Sequence, residues 1–269
     1  MNTRPPLSRR KYDRRRKSLG QHMLASSLIA EQIVAQAAIR SSDIVLEIGT
    51  GSGMLTELLA KQARSVKSYE IDPTLVEVAR SRLTAYCNVE LIAGDAFAEK
   101  LPIEFDVCVT SLPYSQSLRF LKWAALSSSK VKRFLAVVQS EFADKLLAIP
   151  GTHSYRAASV IAQLSFDVEK LFVIPRSEFL PHPRVTSRLI RLTSKLVNRS
   201  PFFTESRMEK LNRLFSYRSK TLGSALRRML PKSAQIPLSN SLFGERVESL
   251  SPSQFKEVIL SLEEMQDEK

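Results

Sequence analysis

Short β-branched and apolar runs that alternate with helical stretches constrain the fold of this chain most strongly. Five such runs follow one another, at residues 44–48, 65–71, 89–92, 105–110 and 134–139. A stretch with apolar residues at helical spacing precedes them at 26–39. Because strands joined by helices pair in parallel and carry the helices on both faces, this pattern predicts an α/β fold with a doubly wound parallel sheet.

Two further strand-like runs, 166–174 and 184–192, follow with no room for a helix between them. Their connection contains Pro175, Pro181 and Pro183. Antiparallel strands need only a short connection, whereas parallel strands need a long crossover. The sequence therefore predicts a sheet that ends in an antiparallel hairpin.

The pattern changes around residues 195–204, which indicate a linker. Beyond it no strand-like run occurs, and helical periodicity covers 205–229 and 252–264. We expect an α/β domain at 18–196 and a small all-helical domain at 197–269. Residues 1–17 hold eight basic residues and one acid, which predicts a flexible basic arm or, alternatively, a solvated tail without a dedicated partner.

The charge of the chain favours a polyanionic partner. Forty Lys and Arg against 27 Asp and Glu give a net charge of +13, which is typical of proteins that bind nucleic acid or an anionic membrane surface. No apolar run approaches the roughly 18 residues that span a bilayer. Cys87 and Cys108 have no metal-ligand spacing around them. We expect a cytoplasmic monomer without membrane attachment or metal.

A glycine-rich loop follows the first strand and predicts a ligand site. Glu47 lies near the end of that strand, and Gly49, Gly51 and Gly53 follow. Glycine lets the backbone turn sharply and approach a ligand closely. The loop alone is a weak signal, since it also fits a tight turn without a ligand. Glu47 would repel a phosphate and suits a cationic group.

Acidic residues at the next two strand ends sharpen this interpretation. Glu70 and Asp72 end the second strand, where a carboxylate can accept both hydroxyls of a ribose. Asp95, Ala96 and Phe97 end the third strand and place an acid beside an aromatic ring, as an adenine amine and its face require. Acids at three strand ends predict a nucleoside that carries no phosphate.

The fourth strand ends in Ser111, Leu112, Pro113 and Tyr114. This order resembles the signature of amino-methyltransferases, in which a polar side chain and a backbone carbonyl accept hydrogen bonds from the target amine and the aromatic ring stacks on the base. An exocyclic adenine amine is a poor nucleophile because its lone pair is delocalised. Acceptors on its hydrogens favour the geometry of in-line attack on a methyl group.

Nearly the whole chain resembles the KsgA-type ribosomal RNA adenine dimethyltransferases, the family that includes archaeal and eukaryotic small-subunit enzymes and the erythromycin-resistance methyltransferases. The matching segments are 20–24, 47–53, Glu70, 94–96, 111–114, Gln139 with Glu141 and Asp144, 179–187, 214–215, 220–222 and 246–251. Residues 179–187 match the family's Phe-x-Pro-x-Pro-x-Val-x-Ser. The resemblance implies a Rossmann-like methyltransferase domain with S-adenosylmethionine as cofactor.

The resemblance also implies roles for individual residues. It puts S-adenosylmethionine at His22, Leu24, Gly49, Glu70, Asp95 and Ser111, and it puts Glu47, Gly51, Gly53 and Ala96 in the same site. Tyr114 and Phe179 are expected to sandwich the flipped adenine beside Ser111, Leu112 and Pro113.

One position departs from the family. Asn is usual where this chain has Ser111. Serine accepts a hydrogen bond, but its oxygen lies closer to the backbone, so the target amine is held less well. Loss of such an acceptor costs on the order of a hundredfold in rate, which predicts a slow enzyme, one that stops at a single methyl group, or one without activity.

We expect residues 205–229 to form one helix, and basic residues recur along it. They predict contact with phosphates; a solvated face is the alternative. They are Arg207, Lys210, Arg213, Arg218, Lys220, Arg227 and Arg228.

Three functions are consistent with the sequence: an adenosine N6-methyltransferase acting on small-subunit ribosomal RNA, a ribosome-assembly factor without efficient transfer, or a methyltransferase for another amine. The basic segments disfavour the third.

Overall fold

A seven-stranded sheet forms the centre of the computed structural model, which describes residues 22–98, 104–195, 201–231 and 238–267. The strand order is β4-β3-β2-β5-β6-β9-β7, and β1 and β8 form a separate two-stranded sheet. The strands are β1 Met23–Leu24, β2 Ile44–Ile48, β3 Ser65–Glu70, β4 Val89–Ala93, β5 Phe105–Thr110, β6 Val131–Gln139, β7 Phe166–Ile174, β8 Phe179–Leu180 and β9 Ser187–Ser194.

The direction of the strands agrees with the expectation from the sequence. Strands β2 to β6 pair in parallel, and β9 runs antiparallel to β6 with Gln139 opposite Ser187. β7 and β9 are neighbours at the end of the sheet. The predicted Rossmann-like sheet with an antiparallel end is confirmed. β6 begins three residues before the predicted run, at Val131.

Ten α-helices lie in the described ranges. They are α1 Ser27–Ala37, α2 Met54–Ala60, α3 Pro73–Leu83, α4 Ser117–Leu126, α5 Ser140–Leu146, α6 Ala157–Ser165, α7 Glu205–Phe215, α8 Leu222–Met229, α9 Asn240–Gly244 and α10 Pro252–Asp267. Side chains that accept hydrogen bonds from the first turn cap several of them: Ser26 caps α1, Asp72 caps α3, Thr204 caps α7 and Thr221 caps α8.

The prediction of one continuous helix over 205–229 is wrong. The chain leaves the helix after Phe215, and a new helix begins at Leu222. Between them the backbone bonds to another segment: Leu222 N donates to Glu245 O, and Val247 N donates to Lys220 O. Hydrophobic periodicity indicates which residues are buried, but it carries no information about such long-range backbone hydrogen bonds.

Contacts divide the chain into two compact units. Of the described residues, those within 22–120, 130–140 and 169–193 form the first, and those within 121–129, 141–168 and 194–267 form the second. Residues 141–168, which the sequence assigned to the α/β domain, thus cluster with the C-terminal helices. The domain boundaries drawn from the sequence stay a prediction. The basic arm at 1–17 lies outside the described residues.

Each unit has its own apolar core. In the first, α1 and α2 pack on the sheet through Ile33 and Leu59, both fully buried. In the second, Phe215 stacks on Phe255 with ring centroids 4.9 Å apart and meets Tyr155 edge-on. The Tyr155 hydroxyl donates to Leu250 O at 2.9 Å, so this buried phenol keeps a partner.

Within the described ranges no helix is both long and apolar enough to cross a membrane. The same residues contain no cluster of three or more His, Cys, Asp or Glu that is arranged to hold a metal ion.

Candidate active site

A cavity of about 430 Å³ opens in the first unit at the carboxyl ends of β2, β3, β4 and β5. Ligands of open α/β sheets bind at this edge, because the loops after successive strands meet there. The predicted residues that line the cavity are His22, Leu24, Gly49, Gly51, Glu70, Asp95, Ala96, Ser111, Leu112 and Pro113. Glu47 and Gly53 are not among the lining residues.

The glycine-rich loop after β2 approaches the end of β5 very closely. Gly49 has φ +90°, a conformation that side chains with a Cβ rarely adopt. A Cβ at this position would lie 3.2 Å from Leu112 Cδ2 and 3.8 Å from Ser111 O. Glycine at residue 49 therefore allows the loop and the Ser111 segment to form one wall of the cavity.

Glu47 is fully buried beneath this loop. One carboxylate oxygen accepts hydrogen bonds from Thr56 Oγ1 and Ser68 Oγ, each at 2.6 Å, while Oε1 has no hydrogen-bond partner among the described atoms. Burial raises the pKa of Glu47 to about 7, against the effect of the two hydrogen bonds, and the Glu70 charge raises it further. Direct contact between Glu47 and a cationic group of the cofactor stays a prediction.

Glu70 ends β3 and joins the loop to the cavity wall. Its Oε2 accepts from Gly51 N at 2.8 Å, and its Oε1 accepts from Asp72 N at 2.9 Å. Each carboxylate oxygen has about two acceptor positions, so both oxygens keep capacity for a further donor. The carboxylate is thus held by the backbone and still offers acceptors to a diol.

Asp95 has a partner that the sequence analysis missed. Arg119 Nη2 lies 2.6 Å from Asp95 Oδ2, and the guanidinium stands 4.8 Å from the centroid of the Phe97 ring. Phe97 N donates to the other carboxylate oxygen at 3.0 Å. Asp95, Phe97 and Arg119 all line the cavity. No motif marks Arg119, because only the packing of α4 beside the end of β4 brings it there.

A second, smaller cavity adjoins the first and is too narrow to admit a water molecule. Tyr114, Val137 and Phe179 line it, and four residues line both cavities: His22, Ser111, Leu112 and Pro113. Tyr114 begins a turn of 3-10 helix, and Phe179 belongs to β8 opposite Leu24 of β1. The structure therefore brings the two aromatic residues predicted from the sequence to one small cavity beside the larger one.

Tyr114 is held by contacts on two sides. Its hydroxyl lies 2.5 Å from Ser187 Oγ, and its ring stacks on His22 with centroids 5.5 Å apart. His22 Nδ1 lies 2.7 Å from Pro181 O. Because a carbonyl only accepts, Nδ1 donates this hydrogen bond. Ser187 was part of the matched 179–187 segment, but no sequence pattern indicated this contact.

Comparisons of the sequence with known proteins agree with this geometry. The family model described as ribosomal RNA adenine dimethylase matches residues 12–264. A ribosomal RNA small subunit methyltransferase A from Thermotoga petrophila is 37% identical over 228 residues, which cover 83% of this chain and 84% of the relative. A probable ribosomal RNA small subunit methyltransferase A from Thermococcus onnurineus is 35% identical over 263 residues, which cover 92% of this chain and 93% of the relative.

Two solved structures share most of the fold. A dimethyladenosine transferase from Plasmodium falciparum matches with a TM-score of 0.75 and 28% identity over 91% of this chain and 98% of its own. The 23S rRNA methyltransferase ErmE matches with a TM-score of 0.62 and 27% identity over 90% of this chain and 99% of its own. By sequence and by fold, the chain belongs to the ribosomal RNA adenine dimethylase family.

Proposed function

We propose that this protein transfers methyl groups from S-adenosylmethionine to the N6 amine of adenosine in small-subunit ribosomal RNA, acting as a monomer in the cytoplasm. The observation that carries the proposal is the junction of two cavities at Ser111, Leu112 and Pro113. A donor in the larger cavity would meet, at this junction, a base held at Tyr114 and Phe179, and the smaller cavity has to widen to admit that base. Such an arrangement suits transfer between two bound groups.

The chemistry of the larger cavity fits this cofactor. Two carboxylates, Glu70 and Asp95, offer acceptors for ribose hydroxyls and for an adenine amine. Ile71, Phe97 and Leu112 supply apolar wall. Among the described residues no lysine lines the cavity, and the arginine that does, Arg119, is paired with Asp95. A nucleoside with a positive charge fits these walls better than a phosphate does.

Bound S-adenosylmethionine supplies an electrophilic methyl group. The chain's own residues hold and orient the nucleophile: the Ser111 hydroxyl and the Leu112 carbonyl accept hydrogen bonds from the target amine. Tyr114 and Phe179 stack on the adenine, which has to leave its RNA stack before it reaches them. These groups act by position, since the amine loses its proton after transfer and needs no strong base before it.

The substrate class rests on the relatives and on charge. The relatives from Thermotoga petrophila and Thermococcus onnurineus carry the name ribosomal RNA small subunit methyltransferase A. In the predicted basic stretch 205–229, four cations are exposed: Arg213, Lys220, Arg227 and Arg228. We propose that residues 197–269 contact RNA phosphates through them, with the arm at 1–17 adding further contacts.

Three other cations of the predicted basic stretch have structural partners. Arg207 forms a bidentate pair with Glu263 at 2.7–3.0 Å, and Lys210 lies 3.8 Å from the same carboxylate. Arg218 pairs with Glu248 at 2.7 Å. These three contribute to the folded unit, which leaves RNA contact to the four exposed cations.

Isotope-labelled S-adenosylmethionine and unmethylated small ribosomal subunits test the proposal. Wild type should label adenosine at N6, and Tyr114→Ala should lose transfer while keeping cofactor affinity. Glu70→Ala and Asp95→Ala should weaken cofactor binding by roughly tenfold to a hundredfold in calorimetry, since each removes a charge-assisted hydrogen bond. Wild-type protein that binds the cofactor but labels no RNA would overturn the proposed reaction.

A further inference from the structure

Ser187 is buried beside the smaller cavity, and the proposed reaction assigns no role to it. It begins β9 and is 0% exposed. Its hydroxyl lies 2.5 Å from the Tyr114 hydroxyl, although the two residues are 73 positions apart in the chain. Either oxygen can donate this hydrogen bond. The contact thus joins the antiparallel end of the sheet to the loop that follows β5.

The Tyr114 ring is fixed at its tip and on one face. The tip bonds to Ser187, and the face stacks on His22 at 29° between the ring planes. His22 is itself held by its hydrogen bond to Pro181 O. A phenol with only the stacking contact can tilt about its χ angles, whereas the added hydrogen bond selects one orientation.

We propose that Ser187 is a positioning residue for the methyl transfer, and that its hydroxyl holds the Tyr114 ring in the orientation that stacks the target adenine for in-line attack. This inference rests on the proposed function, because it requires Tyr114 to contact the base. Without the Ser187 hydroxyl, the half-buried Tyr114 hydroxyl lacks its partner, and the ring tilts toward another one. A shift of about 1 Å in a reacting group costs up to about a hundredfold in rate.

A double-mutant cycle tests this role directly. Ser187→Ala and Tyr114→Phe each remove the same hydrogen bond from opposite ends. We expect each to lower kcat by about tenfold to a hundredfold, and we expect the double variant to be no slower than the slower single variant. The KM for S-adenosylmethionine should stay unchanged, because Ser187 does not line the larger cavity.

Ser194 provides a matched control. It ends the same strand, is 7% exposed, and its hydroxyl donates to Ser128 O. Ser194→Ala should lower the melting temperature as Ser187→Ala does, yet leave kcat at the wild-type value. A purely structural role for Ser187 would give both variants the same profile.

Two results overturn the inference. One is a Ser187→Ala enzyme with at least half of the wild-type kcat, and the other is a double variant whose loss is the product of the two single losses. If Ser187→Ala does not fold, the kcat of Tyr114→Phe tests the inference by itself. That variant removes the same hydrogen bond without removing an atom from the fully buried Ser187 side chain. A Tyr114→Ala enzyme with full activity would instead reject the proposed base site itself.

Discussion

Ser111 lines both cavities and so lies at the junction of the proposed cofactor and base sites. Gly49 lies beside it in the same wall, with the Ser111 carbonyl 3.8 Å from the position of a Cβ there. The family usually has asparagine at this position. The serine side chain is shorter than that of asparagine, and in the proposed reaction the reach of its hydroxyl would set how firmly the target amine is held during attack.

We expect Ser111→Asn to raise the transfer rate or to shift the product from monomethyl to dimethyl adenosine, because the longer acceptor reaches the amine in the transition state. Affinity for the RNA should change little. Nucleoside mass spectrometry of treated ribosomal RNA measures both rate and product. A variant slower than wild type would mean that the surrounding residues are fitted to serine.

Glu47 is a second single residue with a testable effect, because its titration changes the stability of the protein. Its pKa is about 7 in the folded protein and near 4.5 in the unfolded chain. The folded state therefore binds the proton more tightly between these two values, and unfolding free energy falls as the pH rises through this window. The contribution amounts to about 3 kcal/mol, fully present below pH 4.5 and lost above pH 7.

Glu47→Gln removes this titration while keeping an oxygen for Thr56 and Ser68. We expect cofactor-free wild type to lose about 3 kcal/mol relative to the variant between pH 4.5 and pH 8. Urea unfolding of both proteins at several pH values measures this difference in unfolding free energy. The titration of the other carboxylates is common to the two proteins and cancels. Parallel pH curves for the two proteins would show that Glu47 titrates alike in both states.

At the scale of the elements, the loop between β2 and α2 has to combine a left-handed backbone with close approach to β5. Gly151 offers a comparison, since it has φ +82° but no neighbouring atom within 4 Å of the place that a Cβ would take. Alanine is therefore strained at both positions, but it meets neighbouring atoms only at Gly49.

We expect Gly49→Ala and Gly151→Ala to lower unfolding free energy by about 1 kcal/mol or more each, from the backbone cost alone. Only Gly49→Ala should also weaken S-adenosylmethionine binding, by about tenfold or more, because it displaces Leu112 in the cavity wall. Calorimetry with thermal unfolding separates the two effects. Equal cofactor affinity in both variants would contradict the packing argument.

For the whole molecule, the net charge of +13 gives an attraction to RNA that depends on salt. Deleting residues 1–17 removes eight basic residues. We expect weaker binding to the ribosomal substrate and a flatter dependence on salt, because fewer counterions are released. Cofactor affinity should stay the same. Filter binding over a range of salt concentrations measures the slope, and an unaltered slope would identify a solvated tail.

The sequence by itself was enough to predict the parallel sheet and the edge of that sheet at which the candidate site lies. Hydrophobic period and composition indicate the strands because they record which residues are buried. Glu70 is the last residue of one strand and Asp95 follows the end of the next, and these strand ends meet at one edge of the sheet. The family motifs located Tyr114 and Phe179 in advance. Both line the smaller cavity.

Only the tertiary structure decided the contacts between residues distant in sequence. Glu47 lies under the loop and not in the cavity lining, Arg119 binds Asp95, and Ser187 bonds to Tyr114. The break between α7 and α8 has the same origin, since the backbone there bonds to residues 245–247. Local pattern encodes burial and propensity, whereas the partner of a given polar group is fixed only when the chain packs and every buried donor and acceptor must be satisfied.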